Sequence, residues 1–312
     1  MLPFLFNVNG LSAGESIAVS GMLTTMLATM LDIYASGFAD RMLESWFMLA
    51  LLVAPLAIYA IVIHWLERLT QRRLVERFGW NSVLWTGWLG TPIHEMSHVA
   101  MCLLFRHKID EVALFEPDQQ SGRLGYVRYS YRPQSWFETA GNFFVGIAPL
   151  LGGVLVLSLL LWLFYPQVAK LGLLTSGVDS STNRIDELLV QVSSVSWQAV
   201  WALFQWEQVT TFRFWLFLYL VLCVGSHSAP SRSDYQGAVR GMSVLIAALV
   251  AITGLTAILN LPLNRALETF MTAAIPLLAV LILAALLSIF AAITIWTFTA
   301  AIPVRYSVSN KI

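Results

Sequence analysis

The 312-residue chain is 58% hydrophobic and only 12% charged, about half the charged share of an ordinary globular domain. So little charge excludes an ordinary soluble protein and predicts a polytopic integral membrane protein. Its 18 basic and 18 acidic residues balance to a net charge of +0, which leaves no basic face for nucleic acid and directs the search for partners to the bilayer and its proteins.

The N-terminal Met1-Leu2-Pro3-Phe4-Leu5-Phe6 has neither a basic leader nor a small-residue cleavage site, so the first spanning helix is expected to direct insertion. Residues 1–44 include Ser16 to Ser36, which Thr24, Thr25, Thr29 and Asp32 dilute; it reads as an interfacial helix or an extra span. A span needs roughly 20 apolar residues. Stretches of that character run from Ser45 to Trp65, Asn81 to Phe105, Trp136 to Tyr165, Phe212 to Gly225 with the residues before it, Met242 to Leu263, and Leu267 to Pro303. The last is long enough to tilt or to kink near Pro276.

Between the second and third spans, Glu111 to Phe115 and Leu124 to Tyr131 flank Ser121-Gly122, the pattern of a β-hairpin over 111–131. Ser176 to Asn183 is polar loop, and Ile185 to Gln208 carries Trp197, Trp201 and Trp206 at helical spacing, as an amphipathic interfacial helix would. Basic loops at Arg68 to Arg77 and Arg106 to Arg132 flank the same span on opposite sides, so the positive-inside rule assigns no orientation. Cys102 and Cys223 both lie in apolar stretches and read as buried thiols. The expected fold is therefore all-α and multi-pass, with about six transmembrane helices and a small β-hairpin insertion. A single membrane domain over 45–303 carries that insertion and the 176–208 loop and helix, and 304–312 forms a tail.

The second span contains His94-Glu95-Met96-Ser97-His98, a His-Glu-x-x-His pattern. Helical positions four apart share a face, so His94 and His98 can direct ring nitrogens at one point, while Glu95 can reach a metal-bound water without being a ligand. A carboxylate and two imidazoles inside a spanning helix cost at least a few kcal/mol, so such residues are retained for a purpose. Pro92 suggests that a helix starts or bends there, with Thr91 as a cap. A hydrolytic zinc takes three protein ligands and leaves its fourth position for water. The third ligand is expected from Gly225 to Gly237, where Asp234 and His227 are both chemically adequate. His64 and His107, near span ends, read as interfacial residues outside the site.

His94-Glu95-x-x-His98 in a membrane helix, a strand-rich insertion directly after it and a later span ending near a Pro and Asp234 together resemble the site-2 protease family of intramembrane zinc metalloproteases. The resemblance covers roughly Gly90 to Gly237. Gly141-Asn142 is similar to the Gly- and Asn-containing motif of that family's intervening helix, while the family's Asp-Gly signature is replaced here by Asp234-Tyr235. The resemblance implies Zn2+ as cofactor and membrane proteins as substrates. It also implies that the metal acidifies a water and polarises a scissile carbonyl, with Glu95 as general base and then proton donor. Asn142 is the implied substrate-binding residue, although helix-to-helix hydrogen bonding serves it equally well. A substrate helix must unwind to be cut, and an exposed strand at 112–115 or 124–131 could hold it extended; the same hairpin could simply plug the cavity.

Two other functions fit these residues. In a metal or solute transporter, Glu95 would itself be a ligand; in a catalytically silent scaffold, it would have no chemical task.

Overall fold

In a computed structural model of the chain, the residues described are 56–173, 197–258 and 263–306, with a few isolated positions besides. The Ser16 to Ser36 segment and the 176–183 loop lie outside them. Helix α1 occupies 56–78 and carries straight through the Arg68 to Arg77 segment expected as a loop. The reason is its period: Thr70, Gln71, Leu74 and Val75 are buried while Arg68 and Arg72 are exposed, one buried face against one charged face. Arg72 also pairs with Glu76 one turn on, at 2.8 Å. Gly79 ends the helix with φ of +80°, its N–H returning to the Val75 carbonyl at 2.9 Å.

Helix α2 spans Asn81–Leu104 and includes Pro92 in its interior. It therefore neither starts at Pro92 nor takes Thr91 as its cap; Thr91 is buried and its hydroxyl has no hydrogen-bond partner. Strands β1 (Lys108–Ala113) and β2 (Tyr126–Ser130) follow and pair antiparallel, with a bulge between Ile109 and Glu111. Across the pair, Glu111 accepts from the Tyr126 hydroxyl at 2.6 Å and from Arg128 at 2.8 Å. In the loop between the strands, Asp118 accepts from the Gln120 N–H and the Ser121 hydroxyl, and the latter bond holds this exposed carboxyl below the ordinary carboxylate range. The hairpin expected at 111–131 thus begins a few residues earlier, and Leu114 and Phe115 lie beyond β1.

Helix α3 (Trp136–Phe164) is capped by Ser135, whose hydroxyl accepts from the Glu138 N–H. Three short helices come next: α4 (Pro166–Leu173), α5 (197–203) and α6 (Trp206–Val209). The Trp197, Trp201 and Trp206 side chains are all exposed, but they fall on two separate helices rather than one. Helices α7 (Phe212–Gly225), α8 (Arg232–Ile258) and α9 (Leu263–Thr299) complete the chain, and α9 continues through Pro276. Helix α8 starts ten residues before the Met242 expected for that span, which brings Asp234 into its first turn.

Among the described residues, three helical segments are long and apolar enough to cross a membrane: Trp136–Phe164, Arg232–Thr256 and Val280–Thr299. Helix α3 is central, packing on α2, α4, α7, α8 and α9. Its Leu150, Leu157 and Leu161 join Phe217 and Val221 of α7, Leu281 and Leu287 of α9, Ile63 of α1 and Leu203 of α5 in one apolar core. Small residues let α3 and α8 approach closely. A Cβ on Gly146 would collide with the Asp234 carbonyl oxygen and reach 2.7 Å from the Ala238 Cβ, and one on Gly241 would strike the Phe143 backbone. Gly146→Val is therefore expected to destabilise the fold by about 1–3 kcal/mol through overpacking. Gly254→Ala, whose Cβ meets nothing within 4 Å, is expected to be neutral or slightly stabilising. Thermal unfolding in detergent checks both.

Candidate metal centre

The α2 helix places His94 and His98 one turn apart, with ring centroids 4.9 Å apart. Each ring is tethered through Nδ1: His94 to the His227 carbonyl at 2.7 Å, His98 to the Val145 carbonyl at 2.9 Å. A carbonyl can only accept, so both Nδ1 atoms carry the proton and both Nε2 atoms present lone pairs. Those Nε2 atoms face each other at 3.2 Å. Asp234 supplies the third member, its carboxylate oxygens 3.5 Å from His98 Nε2 and 3.7 Å from His94 Nε2.

Three groups thus converge on one point with acceptors only, all ligand atoms lying within 4.8 Å of one another. Mutual repulsion would part them unless a cation, a proton or a metal, lay between. Ligands held about 2.0–2.2 Å from a tetrahedral metal stand about 3.3–3.6 Å apart, which the observed 3.2–3.7 Å separations match. Carbonyl-tethered histidines are also the usual outer arrangement of a metal site, since the tether sets both tautomer and ring direction. The donor set and its spacing fit a small divalent metal.

Asp234 reaches this position through a local device. Ser231 caps α8: the Asp234 carboxylate accepts from the Ser231 N–H and hydroxyl, each at 2.7 Å, while the Ser231 hydroxyl accepts from the Asp234 N–H at 3.3 Å. This is a capping box, Ser-x-x-Asp, and it was legible in the sequence as Ser231-Arg232-Ser233-Asp234. Asp234 is therefore neither a loop carboxylate nor a partner of Arg232 among the described contacts.

His227, the alternative third ligand, does not bring its ring to the cluster. Its Nδ1 lies 3.2 Å from the Cys223 carbonyl and 3.0 Å from the Ser226 hydroxyl, and its Nε2 faces the Gln71 amide at 3.4 Å. The part of His227 that serves the cluster is its carbonyl oxygen, which sequence cannot assign because every residue has one. Gly90, one turn before His94, permits this closeness; a Cβ there would collide with the Cys223 carbonyl and come within 2.8 Å of the His227 ring.

Glu95 is buried, 7% exposed, and is not one of the three converging groups. It follows His94 directly along α2. The hairpin itself leans on α2. Leu124 and Phe115 lie over Gly87, and Gly125 lies against the Thr91 methyl. Asn142 sits on α3 one turn before Val145, 1% exposed, and neither its side-chain oxygen nor its nitrogen has a partner. Buried polar atoms ordinarily find partners, and this amide stands out for having none among the described residues. His64 packs edge-on to Tyr235 with centroids 6.4 Å apart, and the buried His107 bonds the Glu138 carbonyl at 2.8 Å; neither joins the cluster. Cys102 and Cys223 are buried free thiols.

Compared with protein-family models, with curated proteins and with solved structures, the chain matches none.

The capping box makes a direct forecast. Ser231→Ala should cost about 1 kcal/mol by removing the cap, and Ser231→Thr, which keeps the hydroxyl, should cost only a few tenths. Unfolding midpoints of the two variants beside wild type measure the difference.

Proposed function

We propose that the protein is an intramembrane zinc endopeptidase resembling the site-2 proteases, embedded by about six helices and cutting membrane-protein substrates within or near the bilayer. The observation that supports this best is the convergence of His94 Nε2, His98 Nε2 and the Asp234 carboxylate, three acceptors with no donor among them, next to a buried Glu95 that is not one of them. A transport site would draw Glu95 into the ligand set; a scaffold would give the arrangement no task.

Under this reading His94, His98 and Asp234 hold the metal, and Zn2+ when bound supplies Lewis acidity that lowers the pKa of water and polarises a peptide carbonyl. Glu95 takes a proton from the attacking water as the new C–O bond forms, then gives it to the amide nitrogen as the C–N bond breaks. No proton is lost in the cycle, and the carboxylate returns to its starting form. The Val145 and His227 carbonyls hold the two rings still while charge develops. Asn142, with both amide atoms uncommitted, is suited to bond the backbone of an unwound substrate. The two-stranded sheet leaves an outer edge on each strand close to α2, where an extended segment could add.

Elemental mass spectrometry of detergent-purified protein, paired with cleavage of a transmembrane-segment reporter, tests the proposal. About one zinc per chain is expected in wild type, in His227→Ala and in Glu95→Gln, and none in His94→Ala or Asp234→Ala. Glu95→Gln should lose cleavage by about two orders of magnitude or more. Zinc lost together with Glu95 would favour transport, and a folded wild type without metal would leave the scaffold.

A further inference from the structure

Three polar residues of α1, His64, Glu67 and Gln71, fall at i, i+3 and i+7 and so share one helical face. All three meet the segment joining α7 to α8 or the first turn that follows it. The His64 ring packs edge-on to Tyr235. One Glu67 carboxylate oxygen accepts from the Ala229 N–H at 3.2 Å. The Gln71 amide donates toward the Ser226 carbonyl and the His227 Nε2, each at 3.4 Å.

Residues 226–230 of this connection are all buried, yet they lie outside the helices on either side. A buried loop must find partners for its backbone groups among its neighbours. Here the Ser226 carbonyl has Gln71, the His227 carbonyl has His94, and the Ala229 N–H has Glu67. Two of those three partners come from α1, and both are polar residues on a helix that also buries Tyr59, Ile63, Thr70, Leu74 and Val75. A carboxylate is a costly way to accept one N–H in apolar surroundings, so its place here calls for a task. The connection it grips carries two elements of the centre: the carbonyl that orients His94 and, three residues after Ser231, the Asp234 carboxylate.

We infer that Glu67 is a positioning residue for the metal centre, its carboxylate anchoring the Ala229 N–H and so fixing the connection that presents the His227 carbonyl and Asp234 to His94 and His98. This rests on the metal reading above. Glu67 touches none of the reacting groups; it acts by keeping the third ligand and the tether of the first in register with α2.

The test uses the full-length protein in detergent, zinc as the probe, and two readouts: zinc affinity by competition with a chelator, and the unfolding midpoint of the zinc-free form. Glu67→Leu removes the acceptor at similar volume, and Glu67→Gln keeps an oxygen for the same N–H. Zinc affinity should fall about tenfold or more in Glu67→Leu and stay within about threefold of wild type in Glu67→Gln, as for other residues that orient ligands from behind. The zinc-free midpoints of the two variants should agree. Unchanged affinity in Glu67→Leu, or an equal loss in both variants, overturns the inference, as does a fall in the zinc-free midpoint without a change in affinity. Should Glu67→Leu not fold, Glu67→Asp, one methylene short of the N–H, must show the loss that Glu67→Gln does not. Wild type that binds no zinc defeats the metal reading and this inference with it; zinc-binding wild type with an indifferent Glu67→Leu defeats the inference alone.

Discussion

An imidazole offers a lone pair at one nitrogen only while the other keeps its proton, and two main-chain carbonyls enforce that condition twice along α2. His94 gives its Nδ1 proton to His227 and His98 gives its own to Val145. Neither carbonyl belongs to α2. One comes from the middle of α3 and the other from the connection after α7, so the site exists only while three separate segments keep their depth relative to one another. The close approaches at Gly90 and Gly146 serve that need, since a side chain at either position would collide with the connection or with the backbone at Asp234. Packing of small residues and direction of imidazole rings are here one constraint.

The polar groups near the centre divide into those that are satisfied and those that are not. Asp234 is held by the Ser231 cap and Glu67 by Ala229, while Gln71 is satisfied only in part: its amide nitrogen donates to the Ser226 carbonyl and its side-chain oxygen has no partner. Thr91 of α2 and Asn142 of α3, by contrast, are buried with unused hydrogen-bonding atoms. Unsatisfied polar atoms are expensive in an apolar interior, and their cost falls when a further peptide group enters.

Much of this was readable from residue order because the signals are local. The His94-Glu95-x-x-His98 spacing needs only helix geometry, the 111–131 hairpin needs only alternation and a Ser-Gly turn, and α3 follows from a long, mostly apolar run. The Ser231 to Asp234 capping box was equally local, and reading it would have put Asp234 in the first turn of α8 instead of a loop. Helix α1 passes through Arg68 to Arg77 because helical spacing sends Arg68 and Arg72 to an exposed face and Thr70, Gln71 and Leu74 to a buried one, a pattern that counting charges along the chain conceals.

What residue order determined, then, was the chemistry on offer: two imidazoles and a carboxylate on one helix, a few acidic and histidine candidates far along the chain, and an apolar bulk to enclose them. Only the tertiary structure decided between Asp234 and His227, because both are competent ligands and the choice depends on which atom each turns toward α2. It also recruited groups that residue identity cannot single out, the Val145 and His227 carbonyls, and a polar stripe on α1 whose partners lie more than 150 residues away. Backbone acceptors are identical at every position, so their selection follows from how helices cross and never from which side chains they bear.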